Sequence, residues 1–400
     1  MTAGPTTEPS TRPNVARSGK LFALVSGDFV KTAGMDRANY ALASYLLERG
    51  DEVHFASYRV APDLLEKPGA ILHRVRKPMD SYLLAHPILS LRGRKLAARI
   101  AARGGRVVVN GGNCPFGDIN WLHHLNTLDL PRTSGNLLRR IHRRSAYRLY
   151  IRDDRRALQK AGRIITTCER NKADLIRWLG TPAERVDVVY YGTEPQTFHP
   201  PAPGEREELR RKLGWALDRP VVAFVGALGD SRKGFDTLFK AWVELCADPG
   251  WDAQLVVAGT GAELPLWQAR AVEAGIGERI AFLGFRRDVP DLMRASDAHV
   301  LPSRYEGYSL VTQEALCCGL PAFVTATAGI AERYPEELQD LLIPDPEDAP
   351  GLAAKLRRWH AARGSTGDAV SRFSARLRSY TWNDMAAQFM NLVESHAPRG

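Results

Sequence analysis

Two glutamates, Glu306 and Glu314, lie eight positions apart in the sequence LPSRYEGYSLVTQEALCCGLP, which begins at position 301. The apolar run 298–301 predicts a strand, the residues after it a loop, and the residues from Ser309 onward a helix. One carboxylate is therefore expected in the loop, and the other one to two turns inside the helix. Because carboxylates repel phosphate, their expected role is to accept hydrogen bonds from hydroxyl groups.

The predicted start of this helix can bind an anion beside the two carboxylates. Helix N-termini leave backbone N–H groups unpaired and carry a partial positive charge. The donors expected here belong to Gly307, Tyr308 and Ser309. Glycine at position 307 allows a ligand to approach the backbone closely. The pattern indicates a ligand with both a phosphate and a polyol part, and a nucleotide sugar has both.

A second loop supplies cations for the same phosphate groups. Its sequence, GALGDSRKG at 226–234, follows the predicted strand 219–225 and precedes the predicted helix 235–245. Arg232 can hold phosphate oxygens in a bidentate way, whereas Lys233 acts as a point charge. Both cations are expected to stabilise the negative charge that builds on a departing diphosphate.

These residues resemble the signature of retaining glycosyltransferase family 4. The matching positions are Pro302-Ser303, Glu306-Gly307, Glu314-Ala315-Leu316 and Gly319-Leu320-Pro321, with seven residues between the two glutamates. The resemblance covers most of residues 20–396. It implies the α/β GT-B fold, in which two Rossmann-like, doubly wound parallel-sheet domains enclose a cleft and a C-terminal helix crosses back to the first domain.

The resemblance also implies an activity and assigns roles by position. The expected reaction moves a hexose-type sugar from a nucleoside-diphosphate sugar, with UDP as the expected nucleotide, to a hydroxyl of a glycan, lipid-linked or natural-product acceptor. Glu306 and Lys233 are the expected catalytic residues, and Glu314 would hold the ribose hydroxyls. The turn with Phe285 and Arg286 would bind the base, mostly through its backbone.

Two positions depart from the family pattern. The arginine that usually follows the strand glycine is Ala227 here, so Arg232 is expected to replace it at the phosphates. The glycine pair of the first loop is Ala33-Gly34, which leaves close backbone approach to the donor diphosphate at Gly34 only.

Two adjacent histidines, His123 and His124, end the predicted strand 120–125. Strand alternation sends them to opposite faces. The family places one histidine beside the transferred sugar, and we assign this catalytic role to His123. His124 and Asn113, which follows the predicted strand 106–110, are the candidates for binding the acceptor.

Charge is uneven along the 400 residues. Residues 1–200 hold 32 Lys+Arg against 18 Asp+Glu, whereas the whole chain has a net charge of only +10. Basic residues are frequent at 92–103, a segment whose apolar positions fit one helical face. They are also frequent in the predicted helix 139–161. This charge favours an anionic partner, such as a phosphorylated acceptor or an anionic membrane face. The basic runs have no recognisable nucleic-acid-binding motif, so no nucleic acid is expected.

Neither a cofactor nor a metal is expected. The loop Gly27–Gly34 does not match the G-x-G-x-x-G fingerprint of dinucleotide binding. The phosphate loop has no adjacent Asp-x-Asp motif, so metal-independent transfer is predicted, and the five cysteines lack metal-ligand spacing. Residues 1–19 are polar and without a signal-peptide core, and no apolar run is long enough to span a membrane. A cytoplasmic protein is therefore expected, with peripheral contact to the inner membrane face as an option.

The predicted organisation is a disordered lead-in at 1–19, an acceptor domain at 20–197 joined by helix 381–396, and a donor domain at 205–380. Strict alternation of strands and helices in the second half predicts a parallel sheet with ligands at the carboxyl ends of its strands. Two alternatives stay open. One is another GT-B activity on a nucleotide sugar or sugar phosphate, such as a phosphorylase or an epimerase, and the other is a basic nucleic-acid-binding protein.

Overall fold

The computed structural model describes residues 19–32, 34–125, 137–229 and 231–396, with only the backbone for 137–144. The predicted lead-in therefore lies, apart from Gly19, outside the described residues. The described chain alternates strands and helices around two parallel sheets, which confirms the predicted fold class. We call the unit around the first sheet the first domain and the unit around the second sheet the second domain.

The first sheet has seven parallel strands. They are β1 (Leu21–Val25), β2 (Glu52–Ser57), β3 (Ala70–Arg74), β4 (Arg106–Asn110), β5 (Ile119–Leu122), β6 (Arg163–Thr166) and β7 (Val186–Val188). Their spatial order is β3-β2-β1-β4-β5-β6-β7, with the order reversing between β1 and β4. The central strands read as continuous apolar runs because helices cover both faces of the sheet.

The second sheet repeats this order with six strands. They are β8 (Val221–Val225), β9 (Gln254–Ala258), β10 (Ile280–Gly284), β11 (Ala298–Leu301), β12 (Ala322–Thr325) and β13 (Leu342–Ile343). The order β10-β9-β8-β11-β12-β13 places the switch point between β8 and β11. Ligands of such sheets bind in the crevice at the switch point, and the loops that leave these two strands carry Lys233 and Glu306.

Thirteen α-helices connect these strands in the described residues. They are α1 (Gly34–Glu48), α2 (Pro62–Leu65), α3 (Tyr82–Ala101), α4 (Leu137–Lys160), α5 (Glu169–Leu179), α6 (Glu205–Leu213), α7 (Phe235–Cys246), α8 (Leu264–Glu273), α9 (Val289–Ala295), α10 (Leu310–Cys317), α11 (Ala349–Ala361), α12 (Gly367–Arg378) and α13 (Trp382–Ser395). None of the helices within this part of the chain combines the length and hydropathy that a membrane span requires.

The last helix, α13, packs on the first domain. Its start is a capping box in which the Thr381 hydroxyl accepts from the Asp384 backbone N–H and the Asp384 carboxylate accepts from the Thr381 N–H. It lies against α1, and the ring of Phe389 is 4.7 Å from that of Trp121. Close to its start the chain passes residue 193, where Trp382 donates to the Thr193 carbonyl at 3.2 Å. The chain passes between the two domains after residue 193 and again near residue 382, and these two segments are hydrogen-bonded to each other.

Candidate active site in the interdomain cleft

A cleft of about 920 Å³ opens between the two domains, within the size range of small-molecule sites. Residues of both domains line it, among them Gly34, Arg37, Lys233, Phe285, Glu306 and Glu314. Six of the predicted donor residues line this cleft: Gly34, Lys233, Phe285, Arg286, Glu306 and Glu314. The topology explains the convergence, because the switch point brings the loops after β8 and β11 together.

The loop that carries Arg232 and Lys233 packs directly on the end of β11. Gly234 has φ 69°, and a Cβ there would lie 1.8 Å from the Pro302 carbonyl oxygen. Arg304, just after β11, donates from its backbone N–H to the Arg232 carbonyl at 2.8 Å. Its guanidinium bonds Asp236 and Glu347, each at 2.7 Å. Arg304 thus holds the loop in place and has its own donors occupied.

Glu306 lies within reach of both predicted phosphate-binding cations. It forms an ion pair with Lys233, and Arg232 Nη1 is 3.6 Å from its Oε2. Burial raises the pKa of Glu306. The opposing effect of Lys233 and Arg232 is larger, so the pKa of Glu306 is below its usual value. The side chain is 14% exposed and ionised at neutral pH. The carboxylate and the two cations therefore partly neutralise each other's charge.

Glu314 projects from α10 toward the first domain, where Arg37 of α1 forms an ion pair with its Oε1. Its side chain is 13% exposed. Burial raises the pKa of Glu314, and Arg37 partly opposes this effect. Sequence reasoning missed Arg37. The available signal was its place in the first turn of the helix that follows the first loop, since helix N-termini face ligands in such folds.

The start of α10 has an unusual backbone. Ser309 has φ 82°, and its hydroxyl lies 2.8 Å from that of Thr312. A Cβ at Gly307 would lie 2.5 Å from the His123 carbonyl oxygen, so glycine is needed there for the contact between the domains. The Tyr308 side chain is buried and accepts from Arg333 Nη1 at 2.8 Å. The Tyr308 carbonyl accepts from the Ile330 N–H at 2.8 Å, and the role of the Tyr308 backbone N–H in ligand binding stays a prediction.

The two histidines occupy different environments. His123 is 6% exposed, its Nδ1 is 2.7 Å from the Tyr191 hydroxyl, and burial lowers its pKa to about 3. Its buried Nε2 meets no hydrogen-bond partner in the described structure. His124 is half-buried, its ring lies 4.9 Å from that of Tyr305, and its charge contributes to lowering the pKa of Glu306. The catalytic role of His123 stays a prediction, and neither histidine is among the residues that line the cleft.

The remaining predicted site residues are Phe285, Arg286 and Asn113. Arg286 donates from Nε to Asp288 at 2.8 Å, while the neighbouring Phe285 is exposed on the cleft wall. Asn113 ends a short 3-10 turn that packs on α4, and it is not among the residues that line the cleft. Within the described ranges no group of three or more His, Cys, Asp or Glu is arranged to hold a metal ion.

Two family models match the chain. One, described as Glycosyltransferase Family 4, matches residues 32–197, and the other, described as Glycosyl transferases group 1, matches residues 219–361. Together they account for most of the chain, one for each domain. The chain belongs to glycosyltransferase family 4. The position of Glu306, Glu314 and Lys233 in one interdomain cleft is consistent with this family membership.

Curated relatives of this family-4 chain differ in their acceptors. A D-inositol 3-phosphate glycosyltransferase of Xylanimonas cellulosilytica is 28% identical over 59% of this chain and 57% of its own length. A 2-deoxystreptamine glucosyltransferase of Streptomyces kanamyceticus is 32% identical over 51% of this chain and 52% of its own length. The matches thus span about half the length of these relatives.

Solved structures establish the GT-B fold of the family-4 chain. Sucrose-phosphate synthase from Thermosynechococcus elongatus superposes with a TM-score of 0.74 at 21% identity, over 94% of this chain and 98% of the other. Anabaena HepE in complex with UDP superposes with a TM-score of 0.68 at 19% identity, over 94% of this chain and 100% of the other. At these identities the likeness concerns the fold alone.

Proposed function

We propose that this protein is a retaining hexosyltransferase that takes its sugar from a nucleoside-diphosphate sugar, with UDP as the nucleotide. The observation that carries the proposal is the pairing of two buried carboxylates with cations on opposite walls of one cleft: Glu306 with Lys233, and Glu314 with Arg37. Hydroxyl-binding and phosphate-binding groups then lie side by side, as a nucleotide sugar requires. The structure of HepE with UDP adds support for the choice of nucleotide.

The residues of the cleft have separate roles in the proposed transfer. Glu314 accepts hydrogen bonds from the ribose hydroxyls, and the N–H groups at the start of α10 bind sugar or phosphate oxygens. When the diphosphate binds, Lys233 and Arg232 turn from Glu306 to the phosphate oxygens, where charge accumulates in the transition state. Glu306 is then free to accept a hydrogen bond from a hydroxyl of the sugar.

The proposed chemistry is attack on the face from which the leaving group departs. The bond between the anomeric carbon and the diphosphate oxygen breaks, and a bond from the same carbon to the acceptor oxygen forms on the same face. The acceptor proton passes to a phosphate oxygen of the leaving group, so no protein base is required. Glu306 is not assigned as a nucleophile in this proposal, because its role is to accept a hydrogen bond from a hydroxyl of the sugar. Independence from divalent metals is part of the proposal, and complete loss of transfer in EDTA would contradict it.

The first test is calorimetric titration of the protein with UDP, GDP and ADP. One of these nucleotides is expected to bind, and Glu314→Ala is expected to weaken its binding at least tenfold, because the variant removes two charge-assisted hydrogen bonds. Product analysis with the matching sugar nucleotide then separates the reaction classes. Transfer to an acceptor supports the proposal, whereas release of free sugar phosphate or interconversion of the donor indicates a phosphorylase or an epimerase.

An acceptor at an anionic membrane face is the first candidate. Met79 is 90% exposed at the turn before α3, and Leu84 on that helix is 48% exposed. Exposed basic residues follow on the same helix, including Arg94 and Lys95. Exposed apolar side chains beside basic residues favour contact with an anionic lipid surface. Sedimentation with phosphatidylglycerol vesicles is expected to capture the protein, and Leu84→Ser to weaken capture while Val272→Ser, an exposed control in the second domain, does not.

A small aglycone is the second candidate, and Asp36 favours it. This residue is a sequence neighbour of Met35 and Arg37, which line the cleft, although Asp36 itself is not among the lining residues. A carboxyl group there suits a hydroxyl or an amine better than a phosphate. The relative named for 2-deoxystreptamine points the same way. Mass spectrometry after incubation with UDP-glucose and 2-deoxystreptamine tests this candidate, and an unchanged aminocyclitol would count against it.

A further inference from the structure

We propose that Arg37 is a phosphate-binding residue of the donor site, contributed by the first domain and oriented by Glu314. The inference rests on the proposed function and adds to it a residue that acts across the cleft. Arg37 lies in the first turn of α1 and lines the cleft, and its side chain is 22% exposed. The Arg37 side chain is therefore partly buried at the edge of the cleft.

Three contacts fix the guanidinium of Arg37. Nε donates to the Lys31 carbonyl at 3.3 Å, Nη1 pairs with Glu314, and the Phe198 ring lies 5.7 Å from the guanidinium carbon. An arginine has five N–H donors, so these contacts leave three for a ligand. Nη2 meets no acceptor in the described residues, and it is not among the fully buried atoms. Its free donors are therefore accessible from the cleft.

Several other cations near the cleft are held by carboxylates of their own domains, whereas Arg287 lines the cleft as an exposed side chain. Arg304 is held by Asp236 and Glu347, and Arg286 by Asp288. Lys31 lies 2.8 Å from Asp63, on the exposed rim. Lys233 and Arg232 share Glu306 in the second domain. Arg37 is the cation whose carboxylate partner, Glu314, is also the proposed ribose ligand.

This arrangement determines which phosphate Arg37 would bind. Glu314 has two oxygens, so Arg37 can stay on Oε1 while the ribose hydroxyls bind at Oε2. The phosphate closest to a bound ribose is the one esterified to it. Arg37 would hold that phosphate from the first domain, while Lys233 neutralises the outer phosphate from the second domain. A nucleotide then contacts cations on both walls and stabilises the closed cleft.

The test compares uridine, UMP and UDP as ligands of four proteins at pH 8: wild type, Arg37→Gln, Glu314→Gln and Arg372→Gln. Dissociation constants are measured by calorimetry for the nucleotides and by ligand-observed NMR for uridine. Arg37→Gln is expected to weaken UMP and UDP roughly 10- to 100-fold and uridine less than threefold, since only phosphate contacts are lost. Glu314→Gln is expected to weaken all three ligands, because each of them contains the ribose. Arg372→Gln, a surface control on α12, is expected to change none.

Two results for Arg37→Gln would overturn the inference, provided that circular dichroism shows a folded variant. An equal loss for uridine and UDP would mean that Arg37 only positions Glu314. Unchanged binding of all three ligands would mean that it has no part in the site. If the wild type binds none of UDP, GDP and ADP, the proposed function itself fails, which is a different outcome from either of these.

Discussion

Asp36 is expected to make the stability of this protein fall as the pH rises from about 4 to about 7. Burial, and to a smaller extent the negative charge of Asp28, raise the pKa of this carboxyl from 3.8 to about 7. In the unfolded chain the group ionises near its ordinary pKa, whereas in the folded protein it keeps its proton until near neutrality. Between the two values the unfolded state releases the proton first, so unfolding becomes easier as the pH increases.

The size of the effect follows from the shift. A difference of about three pKa units corresponds to about 4 kcal/mol, which is the full loss of stability expected from this one group above pH 7. Asp36→Asn removes the ionisation and keeps the shape of the side chain. The variant is therefore expected to be about 2–4 kcal/mol more stable than the wild type at pH 8, and to differ little from it at pH 4.

Urea unfolding followed by tryptophan fluorescence at pH 4.5, 6 and 8 measures this difference. Asp340→Asn, at an exposed position of the second domain, serves as the matched control for the removal of one carboxylate. If Asp36→Asn and wild type differ by the same amount at all three pH values, the carboxyl is ionised in the folded protein and the reasoning is wrong.

Three further substitutions test the architecture of the site. Glu332→Ala should destabilise the protein by about 1–2 kcal/mol in urea unfolding, because this carboxylate of the second domain accepts from the first two N–H groups of α5, at 2.8 and 3.1 Å; an unchanged midpoint would contradict this. Gly234→Ala should cost about 2–5 kcal/mol, since its Cβ would meet the Pro302 carbonyl at a positive φ, whereas Gly367→Ala, with open space, should not destabilise. Lys233→Gln should lower kcat by roughly 100- to 1000-fold, as expected for a residue that stabilises the leaving group, and Lys240→Gln should match wild type; equal kcat values for the two variants would exclude that role.

Most strands and helices could be predicted because their signals are local. The strands Glu52–Ser57, Arg106–Asn110, Gln254–Ala258 and Ala322–Thr325 have the predicted bounds, since each is an apolar run between polar or glycine-rich turns. Helix α3 was expected only as a basic helical segment, and the structure confirms a helix there with the predicted apolar positions buried. The final helix begins at Trp382, one residue after the predicted start, and Thr381 is its N-cap, because four consecutive residues form a capping box.

Among the elements that were not predicted, three are instructive, and two of these had signals. Helix α6 has acidic residues in its first turn and basic residues in its last, which suits the helix dipole, but the preceding prolines favoured an extended linker. Helix α12 buries Val370, Phe373 and Leu377 at helical spacing. Strand β3 has only half-buried and exposed residues at the edge of the sheet, so its sequence lacks the apolar run of the central strands.

By itself the sequence determined the strand–helix alternation, the two loops of the candidate site and its glutamates, because each depends on residues close together in the chain. Tertiary structure decided which charges meet. Arg37 and Glu314 are 277 positions apart, and Glu306 and Lys233 are 73 apart. It also decided that His123 is buried against Tyr191 while His124 lies near Glu306. Coulomb energies and burial depend on distances in space, which only the packing of the two domains defines.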